Sequence, residues 1–296
     1  MVDEQLRIFE EERPRLRSIA YRMLGTPDDA DDVVQDAWLR WSATELQAVT
    51  NPPGWLTTVT TRLAIDRLRS AAHTRETYVG PWLAAPVDED ATAPDPAEAV
   101  LLAESLSLGF LAVLERVSPL ERAVFILHEV FAYPLAEVAR IVERSDAATR
   151  QLAKRARDHI EAERPRFDPD PADVEALTAR VLEAAATGDV ETLESFLAED
   201  VVHLSDGGAL RRAARHPVVG RHRVARLFLG LAKRVVEGAE LHIVRANGQP
   251  ALYVIIDGEP DFLHVANWVD GQITGSFAVR NPEKLAAFHK AWLGTD

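Results

Sequence analysis

The chain has 296 residues, and 47 acidic against 33 basic side chains give it a formal net charge of −14 at pH 7. Its hydrophobic content of 47% and charged content of 27% are typical of a globular protein with room for two or three domains. It contains no cysteine, which excludes disulfides and thiolate metal sites. Charged residues within the first 25 positions argue against a signal peptide, and no apolar run reaches the ~18 residues of a membrane span. We therefore expect a cytoplasmic protein with no membrane partner.

Two proline-rich and acid-rich stretches, residues 81–99 and 164–175, divide the sequence. Such stretches predict linkers or exposed connections. Helical patterns fill the chain before and between them, whereas strands follow a helical start after the second. The sequence therefore predicts a multidomain protein.

The first helical block contains an acidic helix. In DDADDVVQDAWLRW, residues 28–41, apolar side chains recur at i, i+3, i+4 and i+7, which is typical of a helix with one buried face. Asp29, Asp32 and Asp36 share a different, exposed face. These carboxylates predict either a solvated surface or a docking surface for a basic partner.

A basic helix follows at WLTTVTTRLAIDRLRSAAHTR, residues 55–75, which holds four arginines and one acid. Helical spacing places one outward stripe of residues together: Trp55, Thr58, Arg62, Asp66 and Arg69. Basic, hydroxyl and aromatic groups on one stripe suit a nucleic-acid backbone and unstacked bases. A surface helix with scattered arginines and a packing tryptophan is the alternative.

The second helical block opens with SPLE, residues 118–121, a capping box with proline at the first helical position. Further on, two short helices meet at a turn around Glu143 and Arg144, and Ser145 caps the second. The outward face of that second helix carries Ala147, Arg150, Gln151 and Lys154, flanked by Arg155 and Arg157. This pattern predicts a helix-turn-helix whose second helix reads bases in the major groove, with an ordinary helical hairpin as the alternative.

Three segments in this order resemble the two core domains of an extracytoplasmic-function sigma factor, a specificity subunit of bacterial RNA polymerase. They are YRMLGTPDDADDVVQDAWLRW, GWLTTVTTRLAIDRLRS and SPLERAVFILHEVFAYPLAEVARIVERSDAATRQLAKRAR. The resemblance covers about residues 4–162. It implies sigma domain 2 at 1–76, an acidic proline-rich linker at 77–95 and sigma domain 4 at 96–166.

The resemblance also implies a role for each helix, with the RNA polymerase core and promoter DNA as partners. The acidic helix of the family docks on the clamp helices of the polymerase β′ subunit, which here implies contacts by Asp29, Asp32, Gln35, Asp36 and Trp38. The basic helix handles the −10 element and strand separation, while the helix-turn-helix domain reads the −35 element and contacts the β flap. The implied DNA-binding residues are Trp55, Thr58, Arg62, Arg67, Arg69, Ala147, Arg150, Gln151, Lys154, Arg155 and Arg157. The hydroxyls of Thr57, Thr60 and Thr61 are expected to help Trp55 and Thr58 hold unstacked bases.

The remaining residues, 167–296, predict a helix, a second helix and a strand, then a helix in HPVVGRHRVARLFLGLAKR, then four strands joined by glycine-containing turns. Helices followed by a curved antiparallel sheet resemble a SnoaL-like cone of the nuclear transport factor 2 superfamily. The expected fold is therefore two all-α helical sigma domains plus a C-terminal α+β SnoaL-like cone.

Sigma factors with such an extension form a subgroup, the sigma factor J type, and three motifs carry the resemblance. The linker motif is matched by Tyr78, Gly80, Trp82, Leu83 and Pro86, with Ala84 and Ala85 in place of Pro-Glu. The loop motif is matched by Asp206, Gly207 and Gly208, and the C-terminal motif by Asn281, Pro282, Glu283, Lys284 and Leu285. The resemblance implies that the extension regulates the sigma core in cis, with these motifs at the contact.

Other hypotheses concern the cone and the helix-turn-helix. A catalytic cone would need a carboxylate base beside a hydrogen-bond donor in an apolar pocket, and a non-catalytic small-molecule ligand would use the same cavity. The candidate polar residues are His203, Asp206, Tyr253, Asp261, His264, Asn267 and Trp268. A plain helix-turn-helix repressor would leave the first 76 residues unexplained. The nine histidines show no metal-ligand spacing, so we expect no metal and no cofactor. Because no pattern fixes the polar candidates of the cone as one set, we also expect no enzymatic activity.

Overall fold

The computed structural model of the chain describes residues 2–88, 104–163, 171–233 and 238–294. The chain divides into two compact units, each built from two separate stretches. The helical unit comprises Met1–Thr77 and Val113–Glu163, and the C-terminal unit comprises Tyr78–Ala112 and Arg164–Asp296. The acidic part of the expected linker, 89–95, and the tether FDPDP at 167–171 fall outside the described residues, except for Pro171.

Helices and helical turns make up the first part of the chain. They are α1 Val2–Leu24, α2 Pro27–Ser42, a 3-10 turn Leu46–Ala48, α3 Pro52–Glu76, α4 Leu108–Leu114, α5 Pro119–Phe125, a π-helical turn Ile126–Val130, α6 Leu135–Ile141 and α7 Asp146–Glu163. In α2 the expected apolar face is buried, including Val33, Val34 and Trp41. The helix faces read from the sequence therefore describe this unit well.

The capping box at Ser118 forms in full, because the Glu121 amide donates to the Ser118 hydroxyl and the Ser118 amide donates to the Glu121 carboxylate. The helix that it begins widens into the π-helical turn at Ile126. The Phe131 amide donates to the carbonyl of Ile126, five residues earlier, and Ala132 takes a φ of 54°. This left-handed residue ends the helix and turns the chain toward α6.

The C-terminal unit contains a six-stranded sheet and four helices. Its elements are α8 Pro171–Thr187, α9 Val190–Ser195, β1 Leu197–Asp206, β2 Val218–Val219, α10 Arg221–Ala232, β3 Ala239–Ala246, β4 Gln249–Ile256, β5 Glu259–Val269, β6 Gln272–Val279 and α11 Pro282–Trp292. The strand order is β2-β1-β6-β5-β4-β3. Each of the three hairpins turns at a residue with positive φ followed by glycine, at Asn247, Asp257 and Asp270, as tight hairpin turns require.

Two expectations for this unit were wrong in detail. The sheet is mixed rather than antiparallel, because β1 pairs with β6 in parallel while every other pair is antiparallel. The helix expected from His216 begins at Arg221, because Val218 and Val219 first pair with β1 as an edge strand and Gly220 turns the chain with a φ of 96°.

Helices cover both faces of the sheet. On one face, α8, α9 and α10 enclose an apolar core with Val201, Ala266, Trp268 and Ile273. On the other face α11 packs against β5 and buries Leu285 and Phe288. Within the described ranges, no helix combines the length and the apolarity needed to cross a bilayer.

Candidate functional site

The helix-turn-helix consists of α6 and α7. Glu143 fills the left-handed position of the turn with a φ of 54°, a conformation that glycine usually supplies. Ser145 caps α7 by accepting from the Ala148 amide at 3.3 Å. Leu152 and Ile160, on the inward face of α7, are buried. The turn therefore forms without glycine, and α7 presents its opposite face to solvent.

That exposed face of α7 carries Ala147, Arg150 and Gln151. The other cations assigned to DNA on this helix hold carboxylates: Lys154 contacts Asp158 at 2.7 Å, Arg155 contacts Glu121 at 2.8 Å, and Arg157 contacts Glu129. Within the described part of the chain, Arg150 has no ion pair. Arg150 and Gln151 are thus the groups best presented for reading base edges.

The acidic helix α2 faces the basic helix α3 directly. The Arg67 guanidinium donates to Asp29 at 2.6 Å and to Asp32 at 3.0 Å. The hydrogen bond to Asp29 raises the pKa of Arg67. Two carboxylates expected to meet the polymerase and one arginine expected to meet DNA are therefore paired with each other.

The rest of the acidic surface is more open. Gln35 and Asp36 are exposed on α2. Trp38 is half-buried, with its ring 5.0 Å from that of Phe9. Trp38 therefore contributes to packing within this unit, and Gln35 and Asp36 form the freely accessible part of the predicted docking surface.

The threonines of α3 do not present hydroxyls to solvent as expected. Thr57, Thr60 and Thr61 are fully buried. The hydroxyl of Thr57 donates to the carbonyl of Pro53, and that of Thr58 donates to Gly54, four residues earlier. A threonine hydroxyl in a helix commonly makes this bond. The surface of hydroxyl groups that the sequence pattern predicted therefore does not form at Thr57, Thr60 and Thr61.

The outward stripe of α3 is also partly occupied. Trp55 is half-buried against Trp41, with ring centroids 5.4 Å apart. The Arg62 guanidinium donates to the carbonyls of Ile141 at 2.9 Å and Arg140 at 3.1 Å. These carbonyls lie at the C-terminus of α6, where a cation is favoured by the helix dipole. In this arrangement Arg62 joins α3 to the helix-turn-helix, and Arg69 is left exposed beside Asp66 at 3.5 Å.

A buried charged cluster, the linker hub, lies in the C-terminal unit. The Asp206 carboxylate accepts from the Tyr78 hydroxyl at 2.6 Å, the Leu83 amide at 2.9 Å and the Lys284 ammonium at 2.7 Å. The side chains of Asp206 and Lys284 are 0% and 8% exposed. Lys284 also donates to the Leu83 carbonyl at 2.5 Å and lies 3.8 Å from the centre of the Trp82 ring. Burial and the bond to Asp206 raise the pKa of Tyr78.

The matched motifs build this hub. A Cβ on Gly207 would lie 2.3 Å from the Arg211 carbonyl oxygen, and Gly208 has a φ of 54° with Tyr78 and Asn281 beside it. Asn281 caps α11 through the Glu283 amide and donates to the Tyr78 hydroxyl at 2.9 Å. Pro282, Glu283, Lys284 and Leu285 form the first turn of α11. The C-terminal motif is therefore a helix start that delivers Lys284 to Asp206.

Asn247 holds the linker at a second point that the sequence did not predict. The Val87 amide donates to the Asn247 side chain at 3.1 Å, and the Asn247 amide donates to the Val87 carbonyl at 2.9 Å. The Asn247 side chain also donates to Leu106 at 2.9 Å. Between the two points, Ala84 and Ala85 are buried. In the sequence, the Asn-Gly pair at 247–248 indicates only a hairpin turn. It gives no sign that the Asn247 side chain also binds the linker.

The seven polar candidates in the cone do not form one site. His203 and His264 share the Ser276 hydroxyl at 2.8 and 2.7 Å, and Phe228 packs edge-on against both rings. The others have different surroundings. Asp206 lies in the linker hub, the Tyr253 hydroxyl contacts His289 at 2.7 Å, and Asp261 pairs with Arg280 at 2.9 Å. The side-chain amide of Asn267 near Gly109 and the ring nitrogen of Trp268 in the apolar core are buried without a hydrogen bond to the residues that the structure describes.

The histidine pair is electrostatically distinctive. Burial lowers the pKa of His203 to about 4, and burial together with the charge of His203 lowers that of His264 to about 3. Both rings are therefore neutral at pH 7. No carboxylate hydrogen-bonds to this cluster among the residues that the structure describes, and those residues contain no group of three or more potential metal ligands.

Comparisons with known proteins agree with this geometry. Residues 8–74 match the family model for Sigma-70 region 2, and residues 107–160 match that for Sigma-70 region 4. The ECF RNA polymerase sigma factor SigJ of Mycobacterium tuberculosis (strain ATCC 25618 / H37Rv) is 40% identical over 288 residues, 94% of this chain and 92% of SigJ. The sigma factor SigG of M. tuberculosis (strain CDC 1551 / Oshkosh) is 28% identical over 264 residues, 81% of this chain and 70% of SigG.

A solved structure extends the similarity to the whole architecture. The crystal structure of M. tuberculosis SigJ matches with a TM-score of 0.74 at 36% identity, covering 94% of this chain and 97% of that one. Because the match covers 94% of this chain, it includes both the helical unit and the C-terminal unit with its mixed sheet.

The neutral histidine pair predicts acid sensitivity of the C-terminal unit. Both folded-state pKa values lie below the unfolded value of about 6.5. The contribution of the neutral rings to the stability of this unit is therefore fully present above pH 6.5 and is lost as the pH drops toward 4. Each histidine should contribute a slope of at most about 1.4 kcal/mol per pH unit. Urea unfolding at pH 7, 6, 5 and 4.5 measures this slope, which should be shallower for His203→Gln and His264→Gln. The exposed His216→Gln variant is the control, and equal slopes in all variants would contradict the prediction.

Proposed function

The chain belongs to the extracytoplasmic-function sigma factors of RNA polymerase, and on that premise we propose which of its surfaces recognise the promoter, which bind the polymerase and which regulate the sigma core. Its function is to direct the polymerase to promoters for transcription initiation. In our proposal α7 reads the −35 element, α3 acts at the −10 element, α2 docks on the β′ clamp helices, and the helix-turn-helix domain meets the β flap. The C-terminal SnoaL-like domain controls this core by holding the linker. The linker hub is the observation that carries the regulatory part.

The contact between Arg62 and α6 supports a resting state for the helical unit. The −10 and −35 elements lie about 25 bp apart, which is about 85 Å of duplex at ~3.4 Å per base pair. Helix α3 and the helix-turn-helix are within hydrogen-bond distance of each other. They have to separate before both elements are bound, and Arg62 then becomes available to DNA together with Arg69. We propose that Trp55 leaves Trp41 in the same step to trap an unstacked base.

The capture of the linker supports control by the C-terminal domain. The linker joins the two sigma domains, so its path limits how far they can separate. Its backbone is held at Leu83 by Asp206 and Lys284, and at Val87 by Asn247. A linker fixed at both points is shorter than a free one, and the C-terminal domain thereby sets the spacing available to α3 and α7.

We expect Asp36→Lys to weaken binding to the core polymerase at least tenfold, because Asp36 is exposed and has no ion pair within the described part of the chain. Fluorescence anisotropy with labelled protein and core enzyme measures the affinity. Asp31→Lys is the matched control, because Asp31 is an exposed carboxylate of the same helix that pairs with Arg17 at 2.7 Å. An unchanged affinity for Asp36→Lys would contradict the proposed docking surface.

We expect Arg150→Ala to lose about 1–3 kcal/mol at one position of the −35 element and to relax the base preference there. Selection from a promoter library by the holoenzyme measures the preference at every position. Lys154→Ala is the control, since Lys154 pairs with Asp158 and should weaken all sequences alike. Uniform weakening by Arg150→Ala would show that Arg150 contacts only phosphate.

Hydrogen exchange of residues 78–88 tests the linker hub, because the Leu83 amide donates to Asp206. Removing one partner of a buried ion pair costs about 3–5 kcal/mol, so Asp206→Ala and Lys284→Met should accelerate exchange at least a hundredfold. Asn247→Ala should release only the Val87 end, and Glu194→Ala, which removes a surface pair with His222, should change nothing.

Run-off transcription with core polymerase then connects the linker to function. Asp206→Ala, Lys284→Met and a chain lacking residues 168–296 should all change promoter output in the same direction. Faster exchange with unchanged transcription would refute control through the linker.

A further inference from the structure

Helix α10 and its C-terminal capping residue Lys233 carry an exposed cationic stripe, which we define as Arg223, Arg226 and Lys233. These residues occupy positions i, i+3 and i+10 of one helical face, with Gly230 between them at i+7. All four positions are exposed, while Val224 and Ala225 on the opposite side are fully buried. The stripe is about 15 Å long at 1.5 Å per residue. It therefore presents three cations along one straight edge of the C-terminal unit.

These cations differ from several others in this acidic chain. Arg7, Arg67, Arg157 and Arg280 each hold a carboxylate of the chain itself. Within the described residues, the stripe has no carboxylate partner. The preceding loop adds Arg212 and Arg215, both exposed, and residues 211–226 include no acid. A local field of this sign on a chain of net charge −14 selects a polyanionic partner.

We infer that the cationic stripe of α10 binds the phosphate backbone of promoter DNA. Over about 15 Å of duplex, one strand carries about four phosphates, enough to meet all three cations. Guanidinium groups suit phosphate because they can donate two parallel hydrogen bonds. At Gly230 an added Cβ would have nothing within 4 Å, so the middle of the stripe leaves space for a close approach of the DNA backbone.

The connectivity of the chain favours DNA over other polyanions. Helix α7 ends at Glu163 and α8 begins at Pro171, so the intervening residues extend over at most about 30 Å. When α7 binds its element, the C-terminal unit has a high effective concentration at the flanking duplex. The inference rests on the proposed promoter binding by α7, and it gives the C-terminal domain its own contribution to DNA affinity.

The salt dependence of duplex binding tests the inference. Binding of the holoenzyme, formed from the full-length protein and core polymerase, to a labelled 40-bp promoter duplex is measured by anisotropy between 50 and 300 mM salt. The Arg223→Gln, Arg226→Gln, Lys233→Gln triple variant should lower the slope of log affinity against log salt by about 2–3 and weaken binding at 100 mM at least tenfold. A charge-retaining Arg223→Lys, Arg226→Lys, Lys233→Arg variant should keep the wild-type salt slope, because the slope depends on the number of cations at the phosphates.

A matched variant controls for net charge. Arg7→Gln, Arg13→Gln, Arg245→Gln removes three exposed cations elsewhere, two of which pair with glutamates, and it should shift the slope by less than about 1. If the triple stripe variant has wild-type affinity and slope, the inference is wrong and the proposed promoter binding still stands. Failure of the wild type itself to bind duplex would overturn the proposed promoter binding as well.

The absence of cysteine permits a positional test. In the holoenzyme on promoter DNA, a photo-crosslinker on Gly230→Cys should capture duplex DNA, whereas one on the exposed Ala186→Cys of α8 should not. Capture of polymerase instead of DNA at Gly230→Cys would overturn the inference. So would a triple variant that loses binding only to vesicles of anionic lipid, because the stripe would then be a membrane contact.

Discussion

The buried charge of Asp206 is the constraint on which the C-terminal unit depends. A carboxylate removed from water is destabilising by several kcal/mol unless it is paired and hydrogen-bonded. Lys284 supplies the opposite charge, but the Tyr78 hydroxyl and the Leu83 amide come from the linker. Lys284 in turn depends on the Leu83 carbonyl and the Trp82 ring. The linker thus supplies hydrogen bonds that take the place of water around this ion pair. Release of the linker leaves both buried charges without those hydrogen bonds.

The same principle of internal pairing explains how an acidic protein carries several arginines that we propose contact DNA. Arg67 rests on Asp29 and Asp32, and Arg62 rests on the carbonyl end of α6. Paired cations attract DNA weakly, which limits non-specific binding until a specific partner replaces the internal one. Arg150 and the cationic stripe have no carboxylate partner within the described residues, and in our proposal they orient the first encounter with DNA.

Periodicity predicted the helices and hairpins, because burial of one face imposes a repeat that a sequence displays directly. Periodicity did not locate Asp206 and Lys284, which were found only through the motifs that they belong to. The motifs did not show that these two side chains bind the backbone of Leu83. Three features depended on information that a local pattern does not contain. The hydroxyl of Thr57 turns back to its own helix, Arg62 binds carbonyls 78 and 79 residues away, and the parallel pairing of β1 with β6 depends on the path of the whole chain.

The long sequence separation within the linker hub has a consequence for newly made protein. Lys284 is synthesised 201 residues after the Leu83 carbonyl that it binds. At about 5–20 residues per second, the ribosome needs about 10–40 s to cover that interval. Throughout this time the linker has no lysine to hold it. The acidic helix and the basic helix are already synthesised when the interval begins, and the helix-turn-helix follows within it. Every nascent chain therefore passes through a period in which the polymerase can meet a sigma factor whose linker is not yet bound by Lys284.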